Sequence, residues 1–146
     1  MNSHQVIITL VACGFLIVFV CAWLLMTWTL AHFCGWTVLA KSYRARYRPE
    51  GLRFSRRSLY IVPFTRYHGC LNVTLSSEGI YMIPSFFFRF AHPGLLIPWS
   101  AVGQLQQKKF LLTHCYFPID AAGKHLQLYL PSSAGTWIEH NLPNET

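Results

Sequence analysis

The chain has 146 residues, of which 53% are hydrophobic, 16% aromatic and 12% charged, with a net charge of +7. Soluble domains carry about 25% charged residues, so this composition excludes an ordinary soluble protein, and its aromatic content excludes a disordered one. The charge is unevenly placed. No Lys, Arg, Asp or Glu occurs from Met1 to Ala40. Lys41, Arg44, Arg46, Arg48, Arg53, Arg56, Arg57 and Arg66 then face Glu50 alone, which accounts for all of the +7. Beyond Arg66, four positive and four negative side chains cancel. The chain divides into an uncharged apolar head, a basic collar and a neutral body.

Val6 to Ala31 is an unbroken apolar run of 26 residues. At 1.5 Å rise it covers about 39 Å, more than the roughly 30 Å of a bilayer core. Fourteen positions are Leu, Ile, Val or Phe. At about 0.3–0.6 kcal/mol each, they supply on the order of 4–8 kcal/mol toward insertion. Trp23, Trp28 and Trp36 cluster at the C-terminal end, as an interfacial aromatic belt does. A cleaved signal peptide needs a basic start and a shorter apolar region. Residues 1–5 hold no Lys or Arg, so a retained transmembrane helix over 6–31 is expected.

The collar sets the orientation. Lys and Arg stay on the cytoplasmic side, so residues 1–5 are expected outside and the body in the cytoplasm of a single-pass protein. Cys70 and Cys115, the two cysteines remote from the span, make no disulfide framework. The glycosylation patterns at Asn72 and Asn144 would be idle there.

Residues 32–51 form the juxtamembrane segment. Trp36, Leu39, Ala40, Tyr43 and Tyr47 fall on one helical stripe, with Lys41, Arg44 and Arg48 largely opposite and Arg46 near the boundary. Such a helix either lies on the membrane surface or continues the span and packs on the body. Arg48-Pro49-Glu50-Gly51 breaks it.

The body, 52–146, reads as a cytoplasmic β domain. Leu52–Ser55 and Ser58–Val62 are strands or linker. Leu71–Leu75 and Ile80–Ile83 flank a Ser76–Gly79 turn as a hairpin. Phe86–Phe90 reads as a third strand with Phe86, Phe88 and Phe90 on one face. Leu95–Ile97, Phe110–Phe117 and His125–Leu130 follow, with a turn at Asp120–Lys124. Ser132 or Ser133 would cap a final helix, Ala134 to Asn141. Six or seven strands closed by a helix give a small barrel or sandwich.

The elements Trp36-x-x-Leu39-Ala40-x-x-Tyr43-Arg44, Ser76/Ser77 to Tyr81, and Ile97-Pro98-Trp99-Ser100 resemble those of uncharacterised bacterial single-pass membrane proteins with a pleckstrin-homology-like (PH-like) or GRAM-like domain. The resemblance covers roughly residues 36–130. It implies a PH-like barrel with a C-terminal helix, a bacterial inner-membrane location, and binding of lipid headgroups or proteins.

Candidate chemistry is thin. No C-x-x-C or H-x-x-x-H spacing suggests a metal site, and no cofactor motif occurs. His68 and Cys70 would share a strand face, and His114 and Cys115 would point to opposite faces, but neither pair has a motif around it. Five carboxylates, mostly in turns or the tail, supply little for acid–base catalysis, so an enzyme is not expected. The basic residues crowd beside the span, where topology explains them, so nucleic acid is not an expected partner. The expected function is a binding or scaffolding module at the membrane surface, with the lipid bilayer as partner. Lys41, Arg44, Arg48, Arg53, Arg56, Arg57 and Arg66 are the candidates for anionic lipid headgroups. Phe86, Phe88 and Phe90 form a candidate membrane or partner patch. The alternative is a small accessory subunit of a larger membrane protein complex, with another membrane protein as partner.

Overall fold

A computed structural model describes residues 2–61, 65–103, 106–110 and 112–141, the side chains of 106–110 and 112–115 excepted. Val62, the Asn144 pattern and the side-chain directions expected of His114 and Cys115 lie outside the described residues.

The apolar head contains no proline or charge, and it forms one helix, α1 (Ser3–Phe33), long and apolar enough to cross a membrane. Residues 3–22 are exposed on every side. From Trp23 onward one stripe is covered: Trp23 is half-buried, and Thr27 and Ala31 are fully buried. That i, i+4, i+8 stripe is one face of the helix. The helix ends where Gly35 takes φ +81, the left-handed conformation glycine adopts freely after a helix.

A short second helix, α2 (Trp36–Tyr43), follows. It settles the two readings of the collar. Trp36 and Leu39 are fully buried in the core of the body, so α2 packs on the body instead of lying on lipid. It also stops before the expected Tyr47. Arg44 turns extended and bridges Leu95, and Ala45 N–H donates to the Gly94 carbonyl at 2.9 Å. Backbone pairing with the sheet edge displaces the last helical turn.

The body is one antiparallel sheet of seven strands. They are β1 (Leu52–Ile61), β2 (Thr65–Leu75), β3 (Gly79–Pro84), β4 (Leu95–Pro98), β5 (Gln106–Phe110), β6 (Leu112–Ala121) and β7 (Lys124–Pro131). Their order is β4-β3-β2-β1-β7-β6-β5. β4 and β5 are the two edges, yet the chain after β4 returns to bridge Val102 to Ile119 of β6. The sheet is therefore curled almost into a barrel, and α3 (Ser132–Asn141) packs on β6 and β7.

Alternation explains the core. Along β7, Leu126, Leu128 and Leu130 are buried, while His125, Gln127 and Tyr129 point the other way. Leu71, Val73 and Leu75 of β2, Ile80 and Met82 of β3, and Leu59 and Ile61 of β1 complete the same interior. On the outer face Tyr60, Tyr129 and Tyr116 form a cross-strand aromatic row, with ring centroids 4.9 and 6.0 Å apart. Such pairs stabilise by roughly 0.2–1 kcal/mol each.

Three expected elements differ. The first two expected strands are one, β1, bent by a bulge at Arg56, whose φ is +57. Phe110–Phe117 is not one strand: the chain reverses there, and Phe110 pairs with Leu112. Phe86–Phe90 is not a strand either. Phe86–Phe88 is a single 3-10 turn between β3 and β4, so Phe86, Phe88 and Phe90 do not share a strand face. The expected turn after β6 is present: Ala122 (φ +50) and Gly123 (φ +70) make a two-residue hairpin loop of the kind matched to strand twist. The final helix begins at Ser132 itself.

Candidate functional site

The end of the body nearest α1 is assembled from several segments. A Cβ placed on Gly35 would stand 3.6 Å from Lys124 Cε and 3.9 Å from Ile61 Cγ2. The junction of the two helices thus sits over the end of β1 and the start of β7. Trp36 reaches across to the β3–β4 loop. Its indole N–H donates to the Pro93 carbonyl at 3.0 Å, and its ring meets Tyr67 and His92 at 5.5 and 5.4 Å. Thr37 Oγ1 donates to the Ala31 carbonyl at 3.3 Å, tying α2 back to α1.

His92 anchors the loop from below. It is buried, and its Nδ1 lies 3.1 Å from the Phe90 carbonyl. A carbonyl only accepts, so Nδ1 carries the proton, and Nε2 accepts from the Tyr67 hydroxyl at 3.2 Å. Burial holds the His92 pKa below the ordinary imidazole value, against opposing pulls from the Phe90 and Phe88 backbone. Burial also raises the Tyr67 phenol, with smaller contributions from Cys34 and Cys70. Both groups are held neutral, as their mutual hydrogen bond requires.

Beside this junction lies an open cleft of about 1010 Å³, lined by His32, Thr37, Lys41, Ser42, Arg44 and Arg46 among others. Among the described residues, no carboxylate lines it. The cations stand beside the Ser42 hydroxyl, which suits an anion with several acceptor oxygens, such as a phosphate.

The structure divides the sequence-derived basic set. Lys41 and Arg44 line the cleft. Arg48 is exposed beyond it. Arg53, Arg56 and Arg57 are on β1, and Arg66 is on β2 opposite Tyr60. Arg66 stacks over the Tyr60 ring at 5.3 Å, near the α1 end of the sheet. Arg53 is eight residues back along β1 from Ile61, about 26 Å at strand rise. The Arg57 guanidinium lies 5.6 Å over the Phe54 ring, and its buried Nε has no partner. Arg46 and His32 were missed. Helical spacing put Arg46 on a boundary because it assumed helix to Tyr47, and His32 follows directly on the apolar run.

The aromatic residues also separate. Phe86, Phe87 and Phe90 are 78%, 71% and 54% exposed. Phe88 instead lies against Trp23 of α1, ring centroids 5.5 Å apart, and the Trp23 indole N–H donates to the Phe87 carbonyl at 3.1 Å. Phe87, not singled out from sequence, belongs to the exposed patch, and Phe88 fastens the loop to the helix.

Both ring nitrogens of His68 have hydroxyl partners: Nδ1 and Nε2 face the Ser58 and Tyr60 hydroxyls at 3.1 and 3.4 Å. Burial raises the Cys70 thiol pKa, which disfavours the thiolate a nucleophile needs. Comparison with protein-family models, with curated proteins and with solved structures finds no match.

Proposed function

We propose that this chain is a single-pass membrane protein whose PH-like β domain is a binding and scaffolding module held at the membrane surface, where its basic cleft takes an anionic lipid headgroup. The seven-strand antiparallel order, the near closure and the C-terminal helix support the PH-like reading. The apolar helix supports the tether: residues 3–22 are exposed on every side, and the apolar run from Val6 covers about 30 Å, the thickness of a bilayer core, on reaching Leu25. With the basic side chains on the body's side, the positive-inside rule supports a cytoplasmic body.

One observation carries the headgroup reading. The cleft adjoins the end of the apolar helix: His32 lies seven residues, about 10 Å, beyond Leu25, where twenty residues from Val6 complete a bilayer core. The cleft therefore opens at the outer edge of the headgroup layer, into which the long Lys41 and Arg44 side chains reach. Each Lys or Arg near an anionic leaflet contributes about 1 kcal/mol, so Lys41, Arg44 and Arg46 together favour an anionic over a neutral headgroup by roughly 100-fold.

The test is native mass spectrometry of the full chain in detergent, titrated with phosphatidylglycerol or phosphatidylcholine. One phosphatidylglycerol should be retained preferentially, and the variant Lys41→Gln/Arg44→Gln/Arg46→Gln should lose that preference. Equal retention of both lipids refutes the headgroup reading. A stoichiometric protein partner surviving extraction would favour the accessory-subunit alternative.

A further inference from the structure

We infer that the Phe86–Phe90 loop is a shallow membrane wedge, a second point at which the body enters the leaflet beside α1. This rests on the reading that α1 crosses a bilayer. Depth is the first argument. Counting twenty residues, about 30 Å, from the first apolar residue Val6 reaches Leu25. Trp23 is then about 3 Å inside the hydrocarbon boundary. The loop is fixed at that level by the bond from Trp23 Nε1 to the Phe87 carbonyl and by Phe88 against the Trp23 ring. Any register that sinks the helix further takes the loop deeper.

The second argument is the backbone. Irregular chain at membrane depth is tolerated only where its polar groups find partners. The Ser85, Phe86 and Arg89 carbonyls accept from the N–H groups of Phe88, Arg89 and His92 at 2.9, 3.2 and 3.1 Å. The Phe87 carbonyl accepts from Trp23, and the Phe90 carbonyl from His92 Nδ1. Five loop carbonyls are thus satisfied without water. Trp23 benefits equally, because an indole N–H at the acyl boundary is costly unpaired.

The side chains complete the case. Phe86, Phe87 and Phe90 project into open space, and contiguous exposed aromatics mark an interaction surface. A groove of about 290 Å³ between loop and helix, lined by Phe19, Val20, Trp23 and Phe87, is apolar and opens at the same depth, where an acyl chain fills it. The one charged loop residue, Arg89, is exposed and long enough to reach headgroups.

The test uses the full chain with its five cysteines replaced by alanine. One nitroxide label is placed at Phe86→Cys, Phe90→Cys, Ile17→Cys or Ser77→Cys, in phosphatidylcholine nanodiscs. The neutral lipid makes the result independent of the basic cleft. Collision with oxygen, which concentrates in lipid, is compared with collision with a water-soluble nickel chelate. Each labelled chain must keep the thermal transition of the cysteine-free parent. Labels at 86 and 90 should be oxygen-accessible and at least tenfold less accessible to nickel than the label at 77, with the mid-bilayer label at 17 more protected still. If 17 is protected while 86 and 90 match 77, the wedge is overturned and the tether stands. If 17 itself meets nickel freely, the tether fails and takes the wedge with it.

Discussion

Trp36 joins the apolar helix, the basic cleft and the β core, so its replacement tests their mechanical connection. It is fully buried and donates to the Pro93 carbonyl. Trp36→Phe keeps most of the apolar contact but deletes that bond. The loss of one hydrogen bond with a half-buried acceptor left behind costs about 1–2 kcal/mol. Trp36→Ala also opens a cavity, and aromatic-to-alanine changes in cores cost about 3–5 kcal/mol. Domains are stable by about 5–15 kcal/mol, so the alanine variant removes a large share of the total. At about 4 °C per kcal/mol, Trp36→Phe should lower the melting temperature of the body by about 4–8 °C, and Trp36→Ala by about 12–20 °C. Near-ultraviolet circular dichroism in detergent reads this transition, since α1 stays helical in the micelle. Trp28→Phe is the control, because Trp28 is exposed and stacks only on His32; its shift should stay under about 2 °C, as for other surface changes. If Trp36→Ala melts with the control, the junction is not part of the core and the cleft loses its wall.

Other predictions follow from single observations. His92 is held below its ordinary pKa by burial. The unfolded chain therefore binds a proton that the folded chain refuses, and the His92 contribution is full above about pH 6.5 and lost as pH falls below it. His92→Phe should flatten that acid-side slope relative to the parent, and parallel profiles would refute the assignment. A Cβ on Gly51 would run into the Leu75 carbonyl, so Gly51→Ala should destabilise the start of β1 by about 1–3 kcal/mol; urea unfolding with an unchanged midpoint contradicts this. Trp23→Phe deletes the donor to the Phe87 carbonyl. It should raise hydrogen exchange across 85–91 while leaving the strands protected, and unchanged loop exchange would show that the bond does not hold the loop.

Much of this architecture is readable from residue pattern. The apolar helix follows from an uninterrupted run without charge, and β7 from strict alternation at His125–Leu130. The β2–β3 hairpin follows from Ser76–Gly79, where Ser76 Oγ donates to the Gly79 carbonyl and accepts from its N–H. The failures have tertiary causes. Phe86–Phe90 is apolar without alternation, a pattern common to several structures. Here Trp23, distant in sequence, captures the Phe87 carbonyl, and His92, two residues beyond the run, captures that of Phe90, closing the segment as a turn. The helix of the collar ends early because the β4 edge takes the backbone at Arg44 and Ala45. That early end carries Arg46 into the cleft wall, where helical spacing could not put it. The reversal between β5 and β6 has no Gly, Pro or Asn from Lys109 to Leu112 to announce it. The two fates of the collar, on lipid or on the body, have the same amphipathic signature, and only the burial of Trp36 and Leu39 separates them.

The most direct test of the tether is N-terminal sequencing and intact mass of the chain recovered from alkali-washed membranes. Retention of residues 6–31 in a membrane-bound product is the expected result. A mature chain that begins near residue 35, recovered from the soluble fraction, would contradict it and leave the cleft and the aromatic loop without a bilayer to face.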